Sequence, residues 1–246
     1  MNNVHRHLSF PISFVDNHST YLLDLISKYN KEHDATKNGH YRFPLSEIPD
    51  NFSDWFHNTF KDIFIKDWEI FYTPPGSILP IHSDGYQPFV DFVKLNYVFD
   101  GDRSTMDWYQ LKSEEQLGSE LNELKTPYTF VDLDKVNLIH QAQIATPSLV
   151  NVGQLHGINN TKNTNGRWCI CLIPNHKDST NKETPRVLFD EALEIFKDAT
   201  SIEPKTKEGQ FVREQAMLDA QYATYTNNSV ASRVSLGIRK VFNIAS

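Results

Sequence analysis

The sequence predicts a mainly β fold flanked by helices, and the main evidence is a change in hydrophobic period along the chain. Before about residue 66 the apolar residues recur at helical spacing, whereas beyond it they alternate with polar ones. The alternating segments are rich in aromatic and β-branched residues, and Gly, Pro, Asp and Asn separate them. Several short strands without helical patterns between them favour an antiparallel sandwich or barrel.

Two helices are predicted ahead of the strands. The first spans residues 19–31, with Ser19 as its cap, and the second spans residues 51–64. The apolar face of the first consists of Tyr21, Leu22, Leu25 and Ile26, and that of the second of Phe52, Trp55, Phe56, Phe60 and Ile63. Both helices are therefore expected to cover the β region with one side.

The strand-like segments follow one another up to Pro174. They are WEIFYT at 68–73, DFVKLNYVF at 91–99, TMDWYQL at 105–111, YTFVDL at 128–133, LIHQAQIAT at 138–146, PSLVNVG at 147–153 and RWCICLIP at 167–174. A polar linker comes next, and the segments 186–198 and 208–224 then have helical patterns. We therefore divide the chain into a β domain with N-terminal helices, residues 1–178, and a helical C-terminal extension, residues 179–246.

The predicted helix over 186–198 has too wide an apolar arc for a freely solvated helix. We expect it to pack on the β domain. The alternative is that it contacts a second subunit, which would make the protein a homo-oligomer, or that it forms a wall of a substrate cleft.

Charge, hydrophobicity and cysteine content indicate which partners and which cellular compartment to expect. The net charge of -7 gives no basic surface for a phosphate backbone, which disfavours nucleic acid as a partner. No apolar run approaches the roughly 20 residues of a membrane span, and the first residues lack the apolar segment of a signal peptide. The two cysteines, Cys169 and Cys171, are too close for an unstrained bridge. We expect a reduced, cytoplasmic protein that does not bind membranes.

A candidate metal site begins at His82-Ser83-Asp84. Two residues apart on a strand, the imidazole and the carboxylate share one face and can bind the same divalent ion. The motif is short enough to occur by chance, and His176-Lys177-Asp178 has it as well. We expect no metal at the second copy, because it lies in the polar linker and no histidine follows it.

The third ligand must come from another strand, and two histidines qualify. His156 lies where a strand runs into a turn, followed by a polar loop and a strand that begins with Arg167. We favour His156, and we expect His140 to be an ordinary strand residue.

Arg167 shares its predicted strand face with Cys169 and Cys171. A buried guanidinium needs an anionic partner, and its planar fork suits a carboxylate. The cysteines are expected to pack in the barrel, because no other cysteine is present to complete a thiolate metal site.

The order His82-x-Asp84, His156 and, eleven residues later, Arg167 resembles the Fe(II)- and 2-oxoglutarate-dependent oxygenases. The similarity covers about residues 66 to 175. Within the superfamily the chain loosely resembles aspartyl/asparaginyl hydroxylase-like or phage- and marine-type members. The resemblance implies a double-stranded β-helix (jelly-roll) core. It also implies Fe(II) bound by His82, Asp84 and His156, and 2-oxoglutarate bound through Arg167.

By the same resemblance the chain is a dioxygenase that uses O2 to hydroxylate a small molecule or an amino-acid or protein side chain, with release of succinate and CO2. Strand phase adds Asn96 and Tyr109 as candidates to donate hydrogen bonds to the 2-oxoglutarate carboxylates.

Two alternatives stay open. The chain could be a catalytically inactive jelly-roll protein that binds a metal or ligand or acts as a scaffold. A cupin-type metalloenzyme without 2-oxoglutarate usually has three or four histidine ligands, which this pattern lacks.

Overall fold

The computed structural model describes residues 4–8, 10, 18–29, 31–85, 89–113, 117–122, 126–144, 147–177 and 186–199. The helix predicted over 208–224 lies outside these residues. No helix within the described ranges is long and apolar enough to cross a membrane.

Twelve strands and three α-helices make up the described structure. The helices are α1 (His18–Lys28), α2 (Asp50–Thr59) and α3 (Phe189–Ile195). The strands are β1 (His5–His7), β2 (Gly39–Phe43), β3 (Ile63–Thr73), β4 (Ile78–Asp84), β5 (Val93–Phe99), β6 (Thr105–Leu111), β7 (Glu120–Leu121), β8 (Pro127–Phe130), β9 (Val136–Ala142), β10 (Ser148–Asn151), β11 (Leu155–Asn159) and β12 (Arg167–His176).

The strands form two antiparallel six-stranded sheets. The first sheet has the order β1-β10-β5-β12-β3-β2, and the second sheet has the order β7-β8-β4-β11-β6-β9. From β3 to β6, and again from β10 to β12, successive strands alternate between the two sheets. This winding is that of a double-stranded β-helix, so the predicted mainly β jelly-roll fold with flanking helices is confirmed.

The largest apolar core lies between the outer face of the first sheet and the helices. Leu22 and Ile26 of α1, Phe52 and Phe56 of α2, and Phe196 after α3 are all buried there. The sheet contributes the side chains that alternate outward along β3, β5 and β12, namely Trp68, Ile70, Val93, Leu95, Trp168, Ile170 and Leu172. The inner faces of the two sheets enclose a second, more polar interior.

Several element boundaries differ from the predictions because strand pairing overrides the local pattern. The predicted second helix ends at Thr59, and Ile63 and Phe64 begin β3 instead. They pair with His176 and Asn175, so β12 continues past Pro174 into the segment predicted as a linker. His156 lies inside β11, not in a turn. Backbone hydrogen bonds to a distant strand leave no signal in the local sequence.

The helix predicted over 186–198 forms only at Phe189–Ile195, but the segment does pack on the core. Val187, Phe189, Ala192 and Phe196 are at most 1% exposed and belong to the core between the first sheet and the helices. The division of the chain into two domains at residue 178 and the homo-oligomer stay predictions.

Candidate metal centre

His82 and Asp84 at the end of β4 face His156 in the neighbouring strand β11. His156 lies directly opposite His82 in the strand register, so both side chains emerge on the same, inner face of the second sheet. The three side chains offer ligand atoms that all lie within 4.8 Å of one another. Among the described residues this is the one cluster of His, Cys, Asp and Glu side chains that could hold a metal ion.

Distances within the cluster fit a shared ion. The Nε2 atom of His82 is 3.5 Å from Oδ1 of Asp84, and the Nε2 atom of His156 is 4.0 Å from the same oxygen. The two imidazole rings are 4.4 Å apart between centroids. All three residues are at most 6% exposed. One carboxylate oxygen and two ring nitrogens therefore converge on one point in the protein interior.

Backbone carbonyls fix the tautomers of both histidines. The Nδ1 atom of His82 lies 2.8 Å from the carbonyl oxygen of Pro80, and that of His156 lies 2.8 Å from the carbonyl oxygen of Gln154. A carbonyl can only accept, so each Nδ1–H donates and each Nε2 keeps its lone pair. The lone pairs point toward Asp84, as metal ligation requires.

Burial also keeps both rings neutral. It lowers the pKa of His156 to about 3, with a further lowering from His82 that Asp84 opposes. Burial lowers the pKa of His82 in the same way, again against the charge of Asp84. Neutral imidazole is the form that binds metal, so protons do not compete for these nitrogens near neutral pH.

Asp84 is held ionised by a buried lysine. Burial alone raises the pKa of Asp84, but the positive charge of Lys94 opposes this and the pKa is left lowered. The Nζ atom of Lys94 is 2.8 Å from Oδ2 of Asp84 and 3.2 Å from Oε2 of Glu69. Lys94 therefore engages one carboxylate oxygen of Asp84 and leaves Oδ1 directed at the histidines.

Glu69 extends this network toward the surface. Its Oε1 atom is 2.9 Å from Nη2 of Arg42 and 3.4 Å from Nε2 of His40, although Glu69 itself is 1% exposed. Burial raises the pKa of Glu69, but Lys94 and His40 lower it well below its usual range. We did not predict this network. Its sequence signal was that Lys94 and Asn96 are two residues apart in β5, a strand whose other residues are apolar or aromatic.

Tyr128 is a second residue that the sequence analysis missed. It pairs with Asp84 in the strand register, and its ring meets that of His82 edge-on at 5.0 Å. Its buried hydroxyl has no hydrogen-bond partner among the residues described. Burial raises its pKa, so the phenol stays protonated and can donate a hydrogen bond beside the metal centre.

Arg167 is buried in the interior between the sheets. It is 2% exposed, and its Nε atom has no hydrogen-bond partner in the described part of the chain. As predicted, Arg167, Cys169 and Cys171 share the inner face of β12, while Trp168, Ile170 and Leu172 join the core beneath the helices. The two thiols are 3.5 Å apart. They lie among Val98, Met106 and Ala142, which agrees with packing rather than metal binding.

Of the two residues predicted to donate to the co-substrate, Asn96 points into the interior between the sheets and Tyr109 points away from it. Asn96 is buried on the inner face of β5, two residues from Lys94, and its Oδ1 atom has no partner among the described side chains and backbone. Tyr109 pairs with Leu155 in the strand register, and its side chain lies on the outer face of the second sheet. There it packs against a cluster that includes Ile81 and Val136. The structure thus does not bring Tyr109 to the metal centre, because a one-residue change of strand phase reverses the face.

The two other histidines considered as ligands have different partners. The Nε2 atom of His140 is 3.0 Å from Nδ1 of His5, and its ring lies 5.5 Å from that of Trp108. The Nε2 atom of His176 is 3.1 Å from the carboxylate of Glu191 at the protein surface. Neither residue belongs to the metal cluster.

Comparison with known proteins gives only distant structural similarities. No protein-family model and no curated protein match the chain. HygX from Streptomyces hygroscopicus with nickel and 2-oxoglutarate bound has a TM-score of 0.37 and 10% identity, over 69% of this chain and 83% of that one. AviO1 from Streptomyces viridochromogenes Tue57 has a TM-score of 0.35 and 10% identity, over 65% and 81%. An oxalate oxidase in complex with the substrate analogue glycolate has a TM-score of 0.32 and 12% identity, over 98% and 96%. Similarity at this level does not bear on function, and the residues of the metal centre are the evidence for what it binds.

Proposed function

We propose that the chain is an Fe(II)- and 2-oxoglutarate-dependent dioxygenase that hydroxylates a small molecule or a side chain and releases succinate and CO2. The observation that carries the proposal is the buried convergence of two unprotonated Nε2 atoms, from His82 and His156, on the Asp84 carboxylate. Two histidines and one carboxylate are the ligand set of non-haem Fe(II) oxygenases.

The arrangement of the donor atoms in the structure fits Fe(II). Both Nε2 lone pairs face Oδ1 of Asp84, and both Nδ1 atoms are already committed to backbone carbonyls. No thiol takes part, which disfavours a structural zinc site. When bound, iron would supply the oxidative chemistry with O2 and 2-oxoglutarate, which no side chain provides by itself.

The protein's own residues orient and shield that chemistry. Lys94 fixes the Asp84 carboxylate through Oδ2, and the carbonyls of Pro80 and Gln154 fix the two rings. Arg167 is assigned to the far carboxylate of 2-oxoglutarate, since its buried Nε–H lacks a partner among the residues that the structure describes and a guanidinium binds carboxylate through two hydrogen bonds. The apolar residues of the interior, among them Val98 and Met106, exclude water.

The test is release of succinate from 2-oxoglutarate by purified protein loaded anaerobically with Fe(II) and then exposed to O2. We expect succinate that depends on both Fe(II) and O2 and is absent from the His156→Ala variant. His140→Ala serves as the matched control, because His140 lies on β9 of the same sheet and contacts His5 instead of the cluster. Binding of Fe(II) and 2-oxoglutarate without any succinate would favour the inactive binding protein instead.

A further inference from the structure

A cavity of about 150 Å³ opens beside the metal centre. Asp84 and Lys94 of the centre contribute to its wall, and Arg186 and Asn175 lie further along it. These last two residues are adjacent in space, because the backbone at Arg186 forms an isolated antiparallel bridge with Asn175 at the end of β12. The cavity is smaller than the roughly 300–1,000 Å³ of pockets for drug-sized ligands, so it suits a small molecule.

Two residues of this cavity carry polar groups without partners. Asn175 is 0% exposed, yet neither its Oδ1 nor its Nδ2 atom makes a hydrogen bond to any residue described. The Nε and Nη2 atoms of Arg186 are likewise buried and unpaired within the described ranges. Buried polar atoms in folded proteins nearly always have a hydrogen-bond partner. Four such atoms without one around a single cavity therefore indicate a bound ligand.

Three other cations contribute to the cavity wall: Lys66, which is exposed, and Lys94 and Arg42, which are already engaged by carboxylates. Lys94 is bound by Asp84 and Glu69, and Arg42 by Glu69 and Thr126. Within the described part of the cavity wall, Arg186 is therefore the cation whose buried N–H groups are open to an anion. Its Nε and Nη2 atoms form one edge of the guanidinium, which matches a carboxylate through two parallel hydrogen bonds. The ring of Phe92, 4.3 Å from Cζ, supports the guanidinium plane.

This site is separate from the one assigned to 2-oxoglutarate. Arg167 begins β12 and Asn175 lies near its end, so eight strand steps of about 3.3 Å place their backbones roughly 26 Å apart. One small dicarboxylate cannot occupy both. Asp84 lines the cavity whereas His82 and His156 do not, so a molecule bound there meets the metal centre from the side of Asp84 and Lys94.

We propose that this cavity binds the primary substrate, and that the substrate is a small carboxylic acid whose carboxylate lies on the Nε–Nη2 edge of Arg186 and on the amide of Asn175. The inference rests on the proposed dioxygenase function, because it assigns the cavity to that enzyme's substrate. The carboxylate anchor fixes one end of the molecule and leaves its carbon chain to extend past Lys94 toward Asp84.

The experiment uses protein loaded with Mn(II) and saturated with 2-oxoglutarate in the absence of O2, so that no turnover occurs. A panel of free α-amino acids and α-hydroxy acids is titrated by calorimetry, each beside its own carboxamide. We expect at least one acid to bind at least tenfold more tightly than its carboxamide. Arg186→Leu and Asn175→Leu should each weaken that acid at least tenfold and leave 2-oxoglutarate binding unchanged. Arg103→Leu, a change of the same type at an exposed arginine, is the control.

Asn175→Leu also keeps the proposal testable if Arg186→Leu fails to fold. Replacing an unpaired buried amide by an apolar side chain of similar size should preserve or raise the Tm of the ligand-free protein while acid binding is lost. The proposal is overturned if no acid binds, if carboxamides bind equally well, or if the two variants weaken 2-oxoglutarate instead. Acid binding to protein that makes no succinate would refute the dioxygenase function and leave the carboxylate site intact.

Discussion

The two faces of the first sheet are both buried, but the inner face carries charged and polar side chains that the outer face lacks. Along β5, Leu95 and Tyr97 point into the apolar core beneath the helices, whereas Lys94 and Asn96 point into the interior between the sheets. β12 repeats the contrast, with Ile170 on the outer face and Arg167 on the inner one. Neighbouring residues of one strand thus meet two different environments.

The difference separates the residues that stabilise the fold, on the outer face, from the charged and polar residues, on the inner face. Apolar burial on the outer face contributes free energy of folding directly. Charges such as those of Lys94, Glu69 and Asp84 cost free energy to bury unless they pair with one another. Unpartnered groups such as Nε of Arg167 cost free energy without return in the ligand-free protein. We therefore infer that the inner face carries the function, and the following substitutions test that separation.

The largest effect is expected at the metal ligands. His82→Ala, Asp84→Ala and His156→Ala should each reduce Fe(II)-dependent succinate formation to background, because each removes one of three converging donors. Metal binding measured by calorimetry should fall in parallel. His140→Ala and His176→Ala should keep most of the activity, and full activity of His156→Ala would falsify the ligand assignment.

Arg167→Leu tests the other end of the inner face. It should raise the KM for 2-oxoglutarate by at least about 100-fold, because losing one partner of a buried charged pair typically costs about 3–5 kcal/mol. Fe(II) binding should survive, since Arg167 is not part of the metal cluster. An unchanged KM would show that another cation, Lys94 foremost, holds the co-substrate.

Phe196→Ala tests the outer face. Phe196 is 0% exposed and packs against Phe60 at 4.4 Å between ring centroids. Truncation should reduce the free energy of unfolding by about 3–5 kcal/mol in urea titrations. Leu193→Ala, at a partly buried position of α3, should cost less. If the two faces act separately, the Fe(II) affinity of the folded variant should be unchanged.

Lys94→Met should affect both stability and metal binding, because it leaves Asp84 and Glu69 buried without their shared cation. We expect a loss of about 3–5 kcal/mol in unfolding free energy. Fe(II) affinity should fall about 10- to 100-fold, as for other residues that orient metal ligands. Lys61→Met, at an exposed lysine, is the control for stability. Wild-type metal affinity in Lys94→Met would show that Asp84 needs no such support.

The smallest effect is a pH dependence of stability that comes from Glu69. Its pKa in the folded protein is well below the ordinary value of 4.5. The unfolded chain therefore binds more protons as the pH falls below 4.5, and the stabilisation is lost through that range. One such group contributes a slope of at most about 1.4 kcal/mol per pH unit. Unfolding titrations between pH 5 and pH 3 should show a shallower slope for Glu69→Gln than for wild type.

Most of the candidate site residues were predicted from their order in the chain and from the alternation of side chains along the strands. The alternation in RWCICL correctly separated Arg167, Cys169 and Cys171 from the residues beneath the helices, because a strand exposes alternate side chains to opposite faces. The same reasoning failed to bring Tyr109 to the site. In β6 the inner face is that of Trp108, which lies opposite His156, and no local pattern reveals which face of a doubly buried strand points inward.

The sequence by itself determined that the fold is mainly β with flanking helices and that His82 and Asp84 share one strand face, because hydrophobic period and a two-residue spacing are local properties of the chain. The ligand role of His156 and the jelly-roll came from the resemblance in residue order. Only the tertiary structure decided that Lys94 binds Asp84, that β12 continues to His176, and that Arg186 and Asn175 meet at a cavity beside Asp84. Each of these depends on pairing between segments far apart in the chain. Such contacts are selected by the burial and hydrogen bonding of the whole fold, and they leave no periodic signal in either segment.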